Sequence, residues 1–323
     1  MDTNPGHKTA TELKIDNASV ERSFVTNPQV GPSRPRTASI PVMYVNGAGD
    51  GDHLCVLAGM HATEYPSIDG AIQVYRKLDP SELSGKVTIV PVLNPAAFWT
   101  RTPYVNPQDG VDIGSTFGEE GDSISYLISD AIENHVLPDV DMVVDLHGGD
   151  LIEDIVPHAG YAKTSDEQKD STAREMAEFF GTRFVFERLG KDATDVFGVP
   201  RVIGEAGREG KLEPEHTQIH IDGVMNILKG FDMLDDEPEC PDEQQTLHGR
   251  YELFCEASGM FESHVGVGDR VEEGEILGEI RNLRGEVVEE IIAPEPSVVQ
   301  LITTNPVKHE DDIVFKCWFA PTG

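Results

Sequence analysis

Three apolar runs in this chain end in the same way, and that recurrence restricts the fold more than any other feature. Leu54 to Ala58 stops at Gly59, Met142 to Leu146 at His147-Gly148-Gly149, and Val199 to Glu205 at Ala206-Gly207. Short apolar runs bounded by glycine read as buried strands. Between them lie segments with apolar residues at helical spacing. Pro66–Leu78 carries Ile68, Ala71, Ile72 and Tyr75 on one stripe, with Pro66 suited to a first turn. Further helices are predicted over Ser123–Val136, Glu167–Phe180 and a stretch ending near Leu228. Additional strands are predicted at Ala38–Asn46, Val87–Leu93 and Arg183–Phe186. Strands alternating with helices predict an α/β fold, a doubly wound sheet with helices on both faces. Ligands of such sheets bind beyond the carboxyl ends of the strands.

The pattern changes near residue 232. Residues 1–36 are polar and rich in Pro, Thr and Ser, and read as an N-terminal arm with one short edge strand near Glu12–Ile15. Residues 37–231 hold the alternating pattern. Residues 232–245 form an acidic linker, and 246–323 read as a small all-β domain with glycine at almost every turn. That last unit carries few groups suited to chemistry, so packing or assembly into a homo-oligomer is its expected role.

Charge narrows the partners. The chain has 58 acidic and 25 basic side chains, a net of −33. Such a surface repels nucleic acid and anionic membranes, leaving a small molecule as the expected partner. It also suggests adaptation to high salt, where screening relieves self-repulsion. The four cysteines, Cys55, Cys240, Cys255 and Cys317, form no CxxC pair and read as reduced thiols of a cytoplasmic protein. The polar N-terminus lacks an apolar signal core.

The chemistry gathers at the strand ends. His61 follows the first run directly, and Glu64 lies three residues on, so one turn of backbone brings both to one side. Catalytic zinc takes three protein ligands, and His61, Glu64 and His147 fit that count. Asp145, two residues before His147, shares its strand face and is placed to orient it. Zinc-assisted hydrolysis needs a base to take and return a proton, for which Glu205 is the candidate. Arg101 is the candidate for polarising a carbonyl. Alone, each has a plainer reading: HxxE is a common pair, a strand-end histidine or glutamate is usually a turn residue, and Arg101 is a surface charge. His216 and His220 offer a competing pair at helical spacing, but no third ligand stands near, and they read as exposed helix residues. His158 and His264 read as loop histidines, His158 being placed to form a pocket wall.

In order, these pieces resemble a known family. Gly59-Met60-His61-Ala62-Thr63-Glu64, Asn94-Pro95-Ala96-Ala97-Phe98, the run Arg101 to Gly110, Asp145-Leu146-His147-Gly148 and Gly204-Glu205-Ala206-Gly207 are similar to motifs of the succinylglutamate desuccinylase/aspartoacylase family. The resemblance implies a zinc carboxypeptidase-like fold, a mixed and largely parallel sheet plus a small C-terminal β domain. It implies one zinc ion per chain on His61, Glu64 and His147, with Glu205 as general base and Arg101 on the carbonyl. Gly268–Gly278 resembles a biotinyl/lipoyl-type barrel, but no lysine lies there or in the hairpin that follows, so no swinging-arm role is expected.

Two positions depart from the pattern. His61-Ala62-Thr63-Glu64 replaces HGxE, adding one methyl. More consequentially, Gly114-Ser115 stands where the family has an Asn-Arg pair that grips the substrate carboxylate, and serine cannot make a bidentate charge-assisted contact. Asn94, Ser115 and Arg208 are the remaining candidate substrate contacts. The expected function is zinc-dependent removal of an acyl group from a small N-acylated amine or amino-acid derivative. Peptide or ester hydrolysis and a zinc-binding scaffold without turnover are the alternatives.

Overall fold

A computed structural model describes residues 5–15, 38–188 and 197–319. Most of the arm expected over residues 1–36 lies outside the described residues. Within it, the edge strand expected at Glu12–Ile15 is longer, β1 (His7–Ile15), and pairs antiparallel along its whole length with β2 (Ala38–Asn46).

The alternating pattern folds as expected. Next come β3 (Gly49–Ala58), α1 (Tyr65–Lys77), β4 (Ser84–Val90), α2 (Pro95–Thr100), α3 (Ile124–His135) and β5 (Met142–His147). They are followed by β6 (Glu153–Ala162), α4 (Glu167–Phe179), β7 (Phe184–Arg188), β8 (Arg201–Arg208) and α5 (Pro214–Gly230). Strands β4, β3, β5 and β8 lie side by side and parallel, with β2 and β6 antiparallel at their flanks. The sheet is therefore mixed, with a parallel centre.

Helices cover both faces, and the two-residue period of a strand divides the core between them. Leu54, Val56 and Ala58 of β3 pack with α1, α4 and α5, while Cys55 and Leu57 pack with α3. On β5, Met142, Val144 and Leu146 join the first cluster and Val143 the second. Asp145 and His147 consequently point to the α3 side.

Nothing in the periodicity marks β6, which is interrupted by Pro157 and buried on both sides over much of its length. Nor does it mark α2, six residues long with Asn94 as its N-cap.

The C-terminal region comprises β9 (Gln245–His248), β10 (Arg250–Phe254), β11 (Gly259–Ser263), β12 (Arg270–Val271) and β13 (Ile276–Arg281). Then follow β14 (Val287–Ile292), β15 (Ser297–Thr303), β16 (Val307–Lys308) and β17 (Ile313–Phe319). An antiparallel sheet of order β14-β13-β11-β16 packs on β15 and β17 through Phe261, Leu277, Ile280, Ile291, Val299, Phe315 and Cys317. Strand β15 pairs antiparallel with β6, so the large sheet runs on through β15, β17 and β10. This ladder brings C-terminal residues to the mouth of the parallel sheet.

Candidate active site

At the end of β3 the chain turns sharply at Gly59, whose φ of +62° is one that side-chain-bearing residues rarely adopt. A Cβ there would also meet the backbone of Pro91 and Val92 at 3.0 Å. The turn delivers His61, and Glu64 follows as the N-cap residue of α1. Thr63 is fully buried and donates its hydroxyl proton to Asp150, tying this turn to the loop after β5.

The Glu64 carboxylate lies between two imidazoles. Its Oε1 is 2.8 Å from His61 Nδ1, and its Oε2 is 3.1 Å from His147 Nδ1. The Gly148 N–H also donates to Oε2. One donor atom from each of the three residues falls within 4.8 Å of the others, an arrangement that can hold a metal ion.

The far nitrogens of both rings face carboxylates. His147 Nε2 is 3.2 Å from Asp145 Oδ1, and His61 Nε2 is 3.5 Å from Asp112 Oδ1. A carboxylate behind each imidazole fixes the ring and makes its other nitrogen a better donor. Asp145 stands where sequence spacing predicts it. No local pattern marks Asp112, because its pairing with His61 spans a loop. Asp145 is fully buried and its Oδ2 accepts from Arg201 at 2.5 Å, another partner that no local pattern reveals.

These contacts set the charges. Burial alone would lower the His61 pKa, but the Glu64 carboxylate and then Asp112 raise it to about 10. His147 is likewise raised, with Asp145 and Glu64 overcoming its burial. Burial would raise Glu64, yet the two imidazoles hold it down at about 2. The pocket thus favours positive charge between its donors, and two imidazole nitrogens with one carboxylate oxygen suit a zinc ion.

Glu205 lies beside His147 in the parallel register of β5 and β8, on the same face. On the other flank of β8, His158 of β6 lies opposite Glu205. The three form a row across the strand ends. Burial raises the Glu205 carboxyl, His147 opposes this, Glu64 adds to it and Arg188 opposes again, leaving its pKa near 7. A carboxyl poised there can act as base or acid at neutral pH. His158 is a strand residue, not a loop residue, and burial depresses its pKa to about 3.

The row opens into a cavity of about 300 Å³, lined by His61, Glu64, Tyr104, His147, Glu153, His158, Arg188 and Glu205 from the α/β region. Arg250, Gln300, Leu301 and Lys316 of the C-terminal strands complete the lining. The C-terminal unit therefore has a part in the site beyond packing. Tyr104, with its ring 5.8 Å from that of His61, is a further lining residue that sequence reasoning left without a role.

A family model for the succinylglutamate desuccinylase/aspartoacylase catalytic domain matches residues 50–231. The chain belongs to this family. As a member it is a hydrolase of the deacylase class. A curated relative, N-alpha-acetyl-L-2,4-diaminobutyric acid deacetylase of Halomonas elongata, is 28% identical over 256 residues, covering 76% of this chain and 74% of the relative. The product-bound structure of the ectoine utilization protein EutE (DoeB) from Ruegeria pomeroyi has a TM-score of 0.85 at 20% identity, covering 99% of this chain and 98% of that one. A succinylglutamate desuccinylase/aspartoacylase from Rhodobacter sphaeroides has a TM-score of 0.82 at 21% identity, covering 99% and 98%. The desuccinylase/aspartoacylase fold thus extends over both the α/β and the C-terminal regions.

Other candidates lie away from the described lining of the cavity. Arg101 is exposed, in left-handed conformation with φ 56°, capping the C-terminus of α2. Asn94 is fully buried, its Oδ1 accepting from the Ala97 N–H. Ser115 is exposed and donates to the Asp112 carbonyl. Arg208 makes a two-pronged contact with Glu213 at 2.9 and 3.0 Å. His220, expected on an exposed helix face, is instead fully buried against β8, with Nε2 2.8 Å from the Ala206 carbonyl oxygen. A helical stripe read without its partners cannot reveal which face the sheet covers.

Proposed function

We propose that this protein is a zinc-dependent amidohydrolase that removes the acyl group from an N-acylated amino acid. The observation that carries the reading is the Nδ1–carboxylate–Nδ1 triad of His61, Glu64 and His147 with Glu205 beside it in register. Those three residues would hold one zinc ion, which would supply Lewis acidity for a carbonyl oxygen and for lowering the pKa of water.

The chain's own groups do the rest. Glu205, poised near neutrality, takes a proton from water as the water oxygen bonds to the carbonyl carbon, and returns that proton to the departing nitrogen as the carbon–nitrogen bond breaks. Asp145 and Asp112 hold the two imidazoles with Nδ1 toward the site. The name of the Halomonas relative supports an acetyl group and a diamino acid as the substrate class.

The test uses zinc-loaded protein and a panel of N-acetyl, N-succinyl and N-formyl amino acids. Glu205→Gln is expected to retain zinc by elemental analysis and to lose about 10² to 10⁴ in kcat. Undiminished hydrolysis in that variant would exclude Glu205 as the base.

A further inference from the structure

The same chain that lacks an arginine at Ser115 carries cations in the lining of the cavity. With 25 basic against 58 acidic residues in the chain, the cavity of about 300 Å³ sets three cations, Arg188, Arg250 and Lys316, against three carboxylates, Glu64, Glu153 and Glu205, a richer share of cations than the chain as a whole. Arg188 acts on Glu205 and belongs to the side of the base. The other two come from the C-terminal sheet.

Their direction follows from strand geometry. Trp318 of β17 packs edge-on to His158, with ring centroids 4.7 Å apart, which fixes the face of β17 that looks toward the parallel sheet. Lys316 is two residues before Trp318 and shares that face. Arg250 of β10 is the direct register partner of Trp318, and directly opposed residues share a face. The alternate residues Phe315 and Cys317 point into the C-terminal core. Arg250 and Lys316 thus flank Trp318 at the cavity wall. The Lys316 ammonium forms a loose ion pair with Glu252 at 3.8 Å and also acts on the cavity carboxyl of Glu153, so a substrate carboxylate would be a further partner for it.

Gln300 adds an independent sign of a ligand. It is 5% exposed and lines the cavity, and its buried side-chain oxygen has no hydrogen-bond partner among the described residues. Buried polar groups are normally paired, so an unpaired one on a cavity wall points to a ligand that pairs it.

We propose that Arg250 and Lys316 grip the carboxylate of the substrate's amino-acid part, with Gln300 accepting a hydrogen bond from one of its N–H groups. The grip lies on the C-terminal sheet, not on the loop carrying Gly114 and Ser115. On that loop a Cβ on Gly114 would meet Met60 Sδ at 2.9 Å, so the Met60 side chain would have to shift, and Ser115 is turned to the Asp112 carbonyl. The inference rests on the deacylase reading for the identity of its ligand.

The test compares N-alpha-acetyl-L-2,4-diaminobutyrate with N-acetyl-1,3-diaminopropane, the same amide with hydrogen in place of the carboxylate, on zinc-loaded protein. Arg250→Gln and Lys316→Met are each expected to raise KM for the acid about tenfold or more, the loss of one charge-assisted contact, with kcat within about threefold. Activity on the carboxylate-free amide should change less than about twofold, Lys316→Arg should restore most of the loss, and Ser115→Ala should leave both substrates within about twofold. Equal losses on both amides, or an unchanged KM for the acid, overturn the grip. Calorimetric titration with L-2,4-diaminobutyrate separates the two readings. If no amide is hydrolysed but this amino acid binds, about tenfold more weakly in both variants, the grip stands and the deacylase reading fails. If amides are hydrolysed while KM and binding ignore both cations, the grip fails alone. Absence of binding to the unsubstituted protein also overturns it. Should Arg250→Gln fail to fold by circular dichroism, the Lys316 pair of variants decides.

Discussion

The floor of the cavity and its C-terminal wall are built in opposite ways. On the floor, the ends of three neighbouring parallel strands deliver His61, His147 and Glu205, and charged partners hold the imidazoles: half-exposed Asp112 behind one, fully buried Asp145 with Arg201 behind the other. On the wall, antiparallel strands present Arg250 and Lys316 on either side of Trp318, positioned by register and by one packed ring. A floor of interlocked charges gives way as a unit when a member is removed. The wall's two cations are carried by different strands, β10 and β17.

Experiments can break or sharpen this contrast. The largest effect is expected at the centre of the floor. Glu64→Ala removes the carboxylate that both imidazoles face, so bound metal should fall to background by elemental analysis and turnover should drop by at least about 10³. Retention of stoichiometric metal would mean that the ion is held elsewhere.

Next is Arg201→Gln, which touches neither metal nor cavity. It leaves Asp145, fully buried, facing His147 without its cation. Removing one partner of a buried pair costs about 3 kcal/mol, read as a lower denaturation midpoint, and metal affinity should weaken by about 10 to 100-fold. Unchanged values in both measurements would show that the floor is not interlocked.

A smaller and pH-dependent effect comes from His220, which packs against β8 beneath the floor. Burial lowers its pKa from 6.5 to about 4 in the folded chain. The unfolded chain therefore takes up this proton near pH 6.5, whereas the folded chain resists until about pH 4. Its contribution to stability is whole above pH 6.5 and is lost as the pH falls to about 4. Chemical denaturation across that window should give a shallower decline for His220→Gln than for the unsubstituted protein. Equal slopes would mean that His220 already titrates normally when folded.

The smallest effect marks the edge of the site. Arg208→Ala removes a guanidinium already engaged by Glu213, so kcat/KM should stay within about twofold. A larger loss would bring Arg208 into the wall.

How far the site was legible follows from how its residues are encoded. His61, Glu64, Asp145, His147 and Glu205 all lie within a few residues of a strand end, and strand ends are visible as apolar runs closed by glycine. The alternation of strand and helix brings such ends to one edge of a sheet, so the floor was written locally. Asp112, Arg201, Arg250, Gln300 and Lys316 carry no such mark. Each reaches the site through a loop closure, a register or a ladder across the sheet, and the pairing of β15 with β6 carries the C-terminal cations there. Arg101 and Arg208 illustrate the converse: their sequence positions beside functional residues did not bring them to the cavity lining, because a helix cap and an ion pair hold them elsewhere.

Sequence alone determined the α/β class, the family resemblance and the three groups suited to a metal, since hydrophobic period and short motifs are local properties. Only the tertiary structure decided which charges stand behind those groups and which line the cavity. Those depend on contacts between residues far apart in the chain, whose register is set by the packing of the whole sheet.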